Sequence, residues 1–288
     1  MRRISRSTAR ATIGLLPTCL FLQCFLLLIG DPLQSPSPPD ARSEWLLSFQ
    51  DEFTGTSLDT SQWTTGYWWD RDGSTNLSSH ELQWYQPDDV LVGGGILKLR
   101  AQERTIPTTW VGIGFDYTSG MVTTGRSTSD KTAPARFLFQ YGYAEMRARV
   151  PKGQGLWPAF WLLPASHESR PEIDILEILG HEPEVAHFNY HYLNEDGSEG
   201  DNGRTWTGPD FSSDWHTFAV DWQPNVIIWY VDGIERWRFT EASRISSEPM
   251  YLLLNLAVGG DWAGPPDGKT VFPSYFEIDY VRVWERQN

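Results

Sequence analysis

The sequence predicts an all-β protein, a sandwich of antiparallel strands, and three observations predict it. Short alternating or apolar runs recur between turn signals along the whole domain, including Gly95 to Ala101, Tyr143 to Val150, His216 to Trp222, Val226 to Val231, Tyr251 to Val258 and Phe276 to Trp284. Asp232-Gly233, between two of these runs, is a hairpin turn signal. No long stretch carries helical periodicity, and Ala242 to Ser247 is expected to hold at most a helical turn.

Taken in order, residues 1–30 read as an export leader or membrane anchor. Arg2, Arg3, Arg6 and Arg10 precede a mainly apolar stretch from Ala11 to Gly30, about long enough to span a bilayer, with no small-residue cleavage site after it. Residues 31–43, rich in Pro and Ser, read as an extended linker. Residues 44–288 are expected to form one catalytic domain, secreted or tethered on the outer face of the cytoplasmic membrane and acting as a monomer. Both cysteines, Cys19 and Cys24, belong to the leader, so the domain has none, and its size requires no disulfide. The chain carries a net charge of −14, and removing the leader and linker takes away five Arg and two Asp, leaving the domain more acidic still. Such a surface repels nucleic acid and other polyanions; it does not obstruct a neutral polysaccharide.

Within the domain, Gly153 to Pro164 places Trp157 and Trp161 on one face of a strand. The run Glu172-Ile173-Asp174-Ile175-Leu176-Glu177 follows. Glu172 and Asp174 share a face, but strict alternation would send Glu177 in among the isoleucines, where an unpartnered carboxylate costs several kcal/mol. A one-residue bulge near Leu176 removes the conflict and returns Glu177 to the face of the other two acids. His187, Asn189 and His191 share a face of the next run. Two carboxyl groups held close, with a third between them, suit glycosidic hydrolysis, in which one attacks the anomeric carbon while the other protonates the leaving oxygen. A metal site is the rival reading and is weaker, because hard cations draw on carbonyls and loop geometry more than on aliphatic strands.

With 15 Trp, 11 Tyr and 14 Phe, the aromatic fraction is high enough to ask whether some rings do more than fill the core, where most are expected. Trp222, in register with Phe218 and Val220, is expected in the core. Trp157 and Trp161 flank the acids, and Trp262 and the Tyr67-Trp68-Trp69 cluster are candidates for outer platforms. Asn76-Leu77-Ser78 matches a glycosylation triplet.

These segments, with Asp51-Glu52-Phe53, Asn255 to Gly260 and Ile278 to Val283, resemble in the same order glycoside hydrolase family sixteen over roughly Glu44 to Trp284. The extra residue before Glu177 resembles its laminarinase-type endo-β-1,3-glucanases. The resemblance implies a jelly-roll sandwich with a concave cleft, Glu172 as nucleophile, Asp174 as assisting carboxyl group and Glu177 as general acid/base. It also implies substrate contacts from Trp157, Trp161, His191, Asn255 and Trp262. No cofactor is required for the chemistry, and a structural calcium ion is expected near Glu52, Gly94 and Asp279. The implied activity is endo-acting, retaining cleavage of β-1,3-glucan. Two alternatives stay open: hydrolysis of mixed-linkage glucan or an agarose-type galactan, and a carbohydrate-binding module without turnover.

Overall fold

The computed structural model describes residues 45–287, except 68–74, 110–111, 127–132 and 167. The expected leader and linker lie outside the described residues, as do Trp68 and Trp69. The strands are β1 (Trp45–Asp51), β2 (Gln83–Tyr85), β3 (Val90–Gly93), β4 (Ile96–Ile106), β5 (Phe115–Ser119), β6 (Met121–Thr123), β7 (Gly142–Arg149) and β8 (Leu156–Pro164). After these come β9 (Glu172–Ile178), β10 (Val185–Leu193), β11 (Glu199–Thr207), β12 (His216–Trp222), β13 (Ile227–Val231), β14 (Ile234–Phe239), β15 (Met250–Val258) and β16 (Ser274–Arg286).

They form two sheets. Six strands run in the order β11-β10-β9-β8-β15-β6, and ten follow the path β14-β13-β12-β7-β16-β4-β5-β2, with β1 paired to β16 and β3 to β4. Nearly all pairs are antiparallel; β2 and β5 pair in parallel. The Asp232-Gly233 turn joins β13 to β14 as predicted, with φ of 53° and 70°, the left-handed pair that a two-residue hairpin requires. Ala242–Arg244 is a single 3-10 turn.

Alternation decides what each sheet buries. On β10, Ala186, Phe188 and Tyr190 are fully buried, while His187, Asn189 and His191 stand on the other face. On β12 and β13, Phe218, Val220, Trp222, Ile227, Trp229 and Val231 all point into one large core between the sheets. Trp222 is completely buried, as its register predicted. The outer face of the ten-stranded sheet carries a smaller cluster of Tyr143, Ala219, Ile228 and Tyr230. The face of the six-stranded sheet that turns away from the core is the one that carries the acids.

Candidate active site

The bulge is present where the carboxylates require it. Leu176 pairs with Phe160 and Asp174 with Trp161, so Ile175 is the extra residue on β9. Against β10 the same count holds, with Glu177 opposite His187 and Asp174 opposite Asn189. Ile173, Ile175, Leu176 and Ile178 are all completely buried, and the three acids occupy the opposite face. A bulge disturbs the ladder and leaves a backbone group to be satisfied elsewhere. Here Trp229, reaching across the core from the other sheet, donates its indole N–H to the Asp174 carbonyl at 2.8 Å.

The acids line a cleft of about 500 Å³ with Trp157, Ala159 and Trp161 of β8, Asn189 and His191 of β10, and Asn255 of β15. Each carboxyl group has its own partners. Glu177 accepts from Trp157 Nε1 at 3.2 Å and from Asn189 Nδ2 at 2.9 Å, one donor on each oxygen. Asp174, 2% exposed, lies 3.1 Å from His191 Nε2 and hydrogen-bonds to Glu172. The other imidazole nitrogen, Nδ1, meets Asp201 of β11 at 2.9 Å, and Arg170 backs Asp201 at 3.4 Å. Glu172, Asp174 and His191 each offer a ligand atom within 4.8 Å of one another, a spacing open to a metal, but these groups already satisfy one another. Trp262, in the turn Gly260–Ala263, stands edge-on to both Trp157 and His187, at ring separations of 5.2 and 4.7 Å.

Among known proteins, the glycosyl hydrolases family 16 profile matches residues 97–282, from β4 to β16. The chain belongs to glycosyl hydrolases family 16. It is 35% identical over 256 residues to an endo-1,3-1,4-beta-glycanase of Rhizobium meliloti (strain 1021), a match covering 84% of this chain and 52% of the relative. It is 32% identical to a beta-glucanase of Rhodothermus marinus, covering 90% of this chain and 93% of that one. The laminarinase catalytic domain from Thermotoga maritima MSB8 superposes with a TM-score of 0.73 at 31% identity, over 85% of this chain and 99% of that one. The chain spans about half the length of the two Rhizobium meliloti relatives it matches.

In this family 16 chain, the surroundings of each carboxyl group decide which favours a proton. Burial pushes Glu177 up to about 7, although the Asn189 hydrogen bond, nearby His191 and the Trp157 hydrogen bond all favour its charged form. Burial, reinforced by the charge of Asp174, raises Glu172 well above the ordinary carboxylate range. Burial and the charge of Glu177 do the same to Asp174. Glu172 and Asp174 hydrogen-bond to each other, which favours the protonated form of Glu172 and the charged form of Asp174.

The structure brings Glu172, Asp174, Glu177, Trp157, Trp161, His191, Asn255 and Trp262 to one cleft. Asn255, expected to bind substrate, has both ends of its amide engaged. It accepts from Trp161 Nε1 at 2.7 Å and donates to the Tyr85 hydroxyl at 3.1 Å, so its polar atoms hold Trp161. The calcium expectation finds no support in the contacts. Glu52 gives both carboxylate oxygens to Arg282, at 2.7 and 2.8 Å, and Asp279 is paired with Arg147 at 2.5 Å. A cation would have to compete with both guanidinium groups, while Gly94 sits in the turn between β3 and β4 with a φ of 64°.

Sequence reasoning missed Asn189, Asp201 and the Glu81 wall. Asn189 stood on the predicted face, and an amide alternating between two histidines was the available signal. Asp201 reaches His191 only because β11 pairs with β10 in that register. Glu81 is buried in the same cleft, with Gln83 Nε2 on its Oε2 at 2.5 Å, and burial pushes it to about 7. The alternating polar positions of Glu81-Leu82-Gln83 hinted at it.

Proposed function

We propose that the chain is an endo-acting, retaining hydrolase of β-1,3-glucan, working by double displacement. The observation that carries the reading is the bulged strand β9, which presents two differently held glutamates and an aspartate between them to one cleft. The hydrogen bond to Asp174 favours the protonated form of Glu172, so attack of Glu172 on the anomeric carbon follows transfer of that proton to Asp174, which leaves the nucleophile charged and its neighbour neutral. His191, clamped between Asp174 and Asp201, fixes the orientation of that pair. Glu177, protonated below about pH 7, gives its proton to the departing oxygen and then takes one from the water that opens the glycosyl-enzyme. Trp157, Trp161 and Trp262 offer ring faces and edges on which sugars pack.

The charge of the cleft supports a neutral substrate. Glu81, Glu199 and Asp201 add to the three central acids, and Arg170 is already engaged by Glu199 at 3.1 Å and by Asp201. A sulfated galactan would meet this wall of carboxylates at a cost. Relatives that carry laminarinase and beta-glucanase names point the same way. The Arg-rich, apolar start supports export, which a reporter fused behind residues 1–43 would test by appearing outside the cytoplasm.

One assay decides among substrates: release of reducing ends from laminarin, lichenan, agarose and carrageenan by the purified chain. Laminarin is expected to lead. Retention of laminarin without release would make the chain a binding module, and a preference for lichenan or agarose would replace the glucan assignment. A first-formed β-anomer by NMR, with carboxyl groups of Glu172 and Glu177 about 5 to 5.5 Å apart, is the signature of retention. A first-formed α-anomer would overturn the double displacement.

A further inference from the structure

Gly203 lies within β11, the edge strand of the six-stranded sheet, directly opposite Asn189 of β10. A glycine inside a strand weakens it and usually marks a close approach of some other group. Gly203 does not adopt a left-handed φ, so its backbone alone does not demand glycine. The space it leaves is what matters. A Cβ there would stand 2.1 Å from Asn189 Oδ1 and 3.2 Å from its Cγ, with the Phe188 carbonyl oxygen at 3.0 Å. Any side chain at 203 therefore evicts the Asn189 amide from its present position.

That amide is one of two donors that fix Glu177. The other, Trp157 Nε1, belongs to a ring wedged edge-on against Trp262. We propose that Gly203 is a positioning residue for the acid/base step: lacking a side chain, it leaves the room in which the Asn189 amide sits and orients the Glu177 carboxyl group. The inference rests on the reading of Glu177 as the general acid/base. With one oxygen on Trp157 and the other on Asn189, the carboxyl plane is set by two donors on opposite strands. The orientation is lost if either donor moves.

The groups that share this neighbourhood are Glu172 and Asp174 on β9, His187 and His191 on β10, Asp201 and Arg204 on β11, and Arg170 ahead of β9. From β8 and the turn after β15, Trp157 and Trp262 face the carboxyl group, while Asp261 of that turn pairs with His80. The three heavy atoms nearest an added Cβ at 203 belong to Asn189 and Phe188 and to none of these groups, so a Gly203→Ala change reaches Glu177 by way of the Asn189 amide.

The experiment is a double-mutant cycle on the full chain with laminarin, using Gly203→Ala, Asn189→Ala and the two together, with Glu177→Ala alongside. Gly203→Ala and Asn189→Ala are each expected to lower kcat about tenfold, the usual worth of a hydrogen bond to an ionisable group, with KM and Tm nearly unchanged. Both should move the alkaline limb of the kcat profile to higher pH, because a donor that favours charged Glu177 is gone. The double variant should be no slower than Asn189→Ala, since the methyl group then enters space already vacated. A Gly203→Ala chain that fails to fold while the double variant folds supports the same clash. Normal kcat and an unmoved limb in Gly203→Ala, or a further loss on adding it to Asn189→Ala, overturns the inference. Substantial activity in Glu177→Ala instead overturns the acid/base reading, whatever Gly203→Ala does.

Discussion

Two glutamates on opposite sides of this molecule, one fully buried and one half-buried, are pushed to the same value by the same cause, and only one of them belongs to the site. Glu177 faces the cleft and Glu145 lies on the outer face of the ten-stranded sheet; burial raises each to about 7. Glu145 is completely buried, and its oxygens accept from the hydroxyls of Tyr280 at 2.8 Å and Tyr143 at 3.2 Å. Nothing but protein reaches it. Glu177 has two donors as well, but it borders a cleft and stands beside two further carboxyl groups. A displaced pKa thus records desolvation; chemistry needs, in addition, access for a substrate and a second group to share the work.

The comparison breaks most sharply under mutation. Glu172→Gln is expected to lower kcat/KM on laminarin by about three orders of magnitude or more with the fold intact, while Glu145→Gln changes it by no more than about twofold. Circular dichroism with the activity assay checks both. Full activity in Glu172→Gln would remove it as nucleophile.

Tryptophans sharpen the same contrast between cleft and core. Trp222→Ala is expected to cost about 3 to 5 kcal/mol of folding free energy, through the cavity left between the sheets. Trp157→Ala and Trp161→Ala should instead lose about 1 to 3 kcal/mol in kcat/KM with a smaller fall in Tm. A large Tm loss with unchanged kcat/KM in either would move that ring from the site into the core.

Both raised glutamates should also be visible in stability against pH. A carboxyl group whose folded pKa lies above its unfolded one binds protons more readily in the folded state. Folding is then favoured below about pH 4.5 and weakened as pH rises toward 7. Glu145→Gln should flatten that decline by about 3 kcal/mol or less between pH 5 and 8 without touching the pH profile of activity. Glu177→Gln should flatten it too, but at the expense of turnover. In the wild type, kcat/KM should fall as pH rises through about 7, as the proton that Glu177 must donate is lost. An alkaline limb that survives in Glu177→Gln would assign it to another group.

The smallest expected effect is the most diagnostic of how the sheets cooperate. Trp229→Phe keeps most of the core volume and deletes the N–H that satisfies the Asp174 carbonyl. A loss of about 1 kcal/mol in stability is expected, with a several-fold fall in kcat. A Tm change with no change in kcat would mean that the bulge holds its shape without Trp229.

What could be read from the chain alone was whatever follows from alternation along a single strand. The all-β class, the Asp232-Gly233 hairpin, the core position of Trp222 and the bulge that turns Glu177 toward Glu172 and Asp174 all depend on neighbours in sequence. Burying a carboxylate among isoleucines costs too much for any other solution at β9. The partners of those acids were decided only by tertiary structure. Asp201 meets His191 through the β10–β11 register, Asn255 is drawn to Trp161 and Tyr85 and away from solvent, and Glu52 and Asp279 are taken by Arg282 and Arg147. The Trp229 bond to Asp174 crosses from one sheet to the other over 55 positions of chain. The local rule fixes which face a side chain takes, because the backbone sets that residue by residue. It is silent on what stands opposite, because strand order and register come from burying the two sheets against each other.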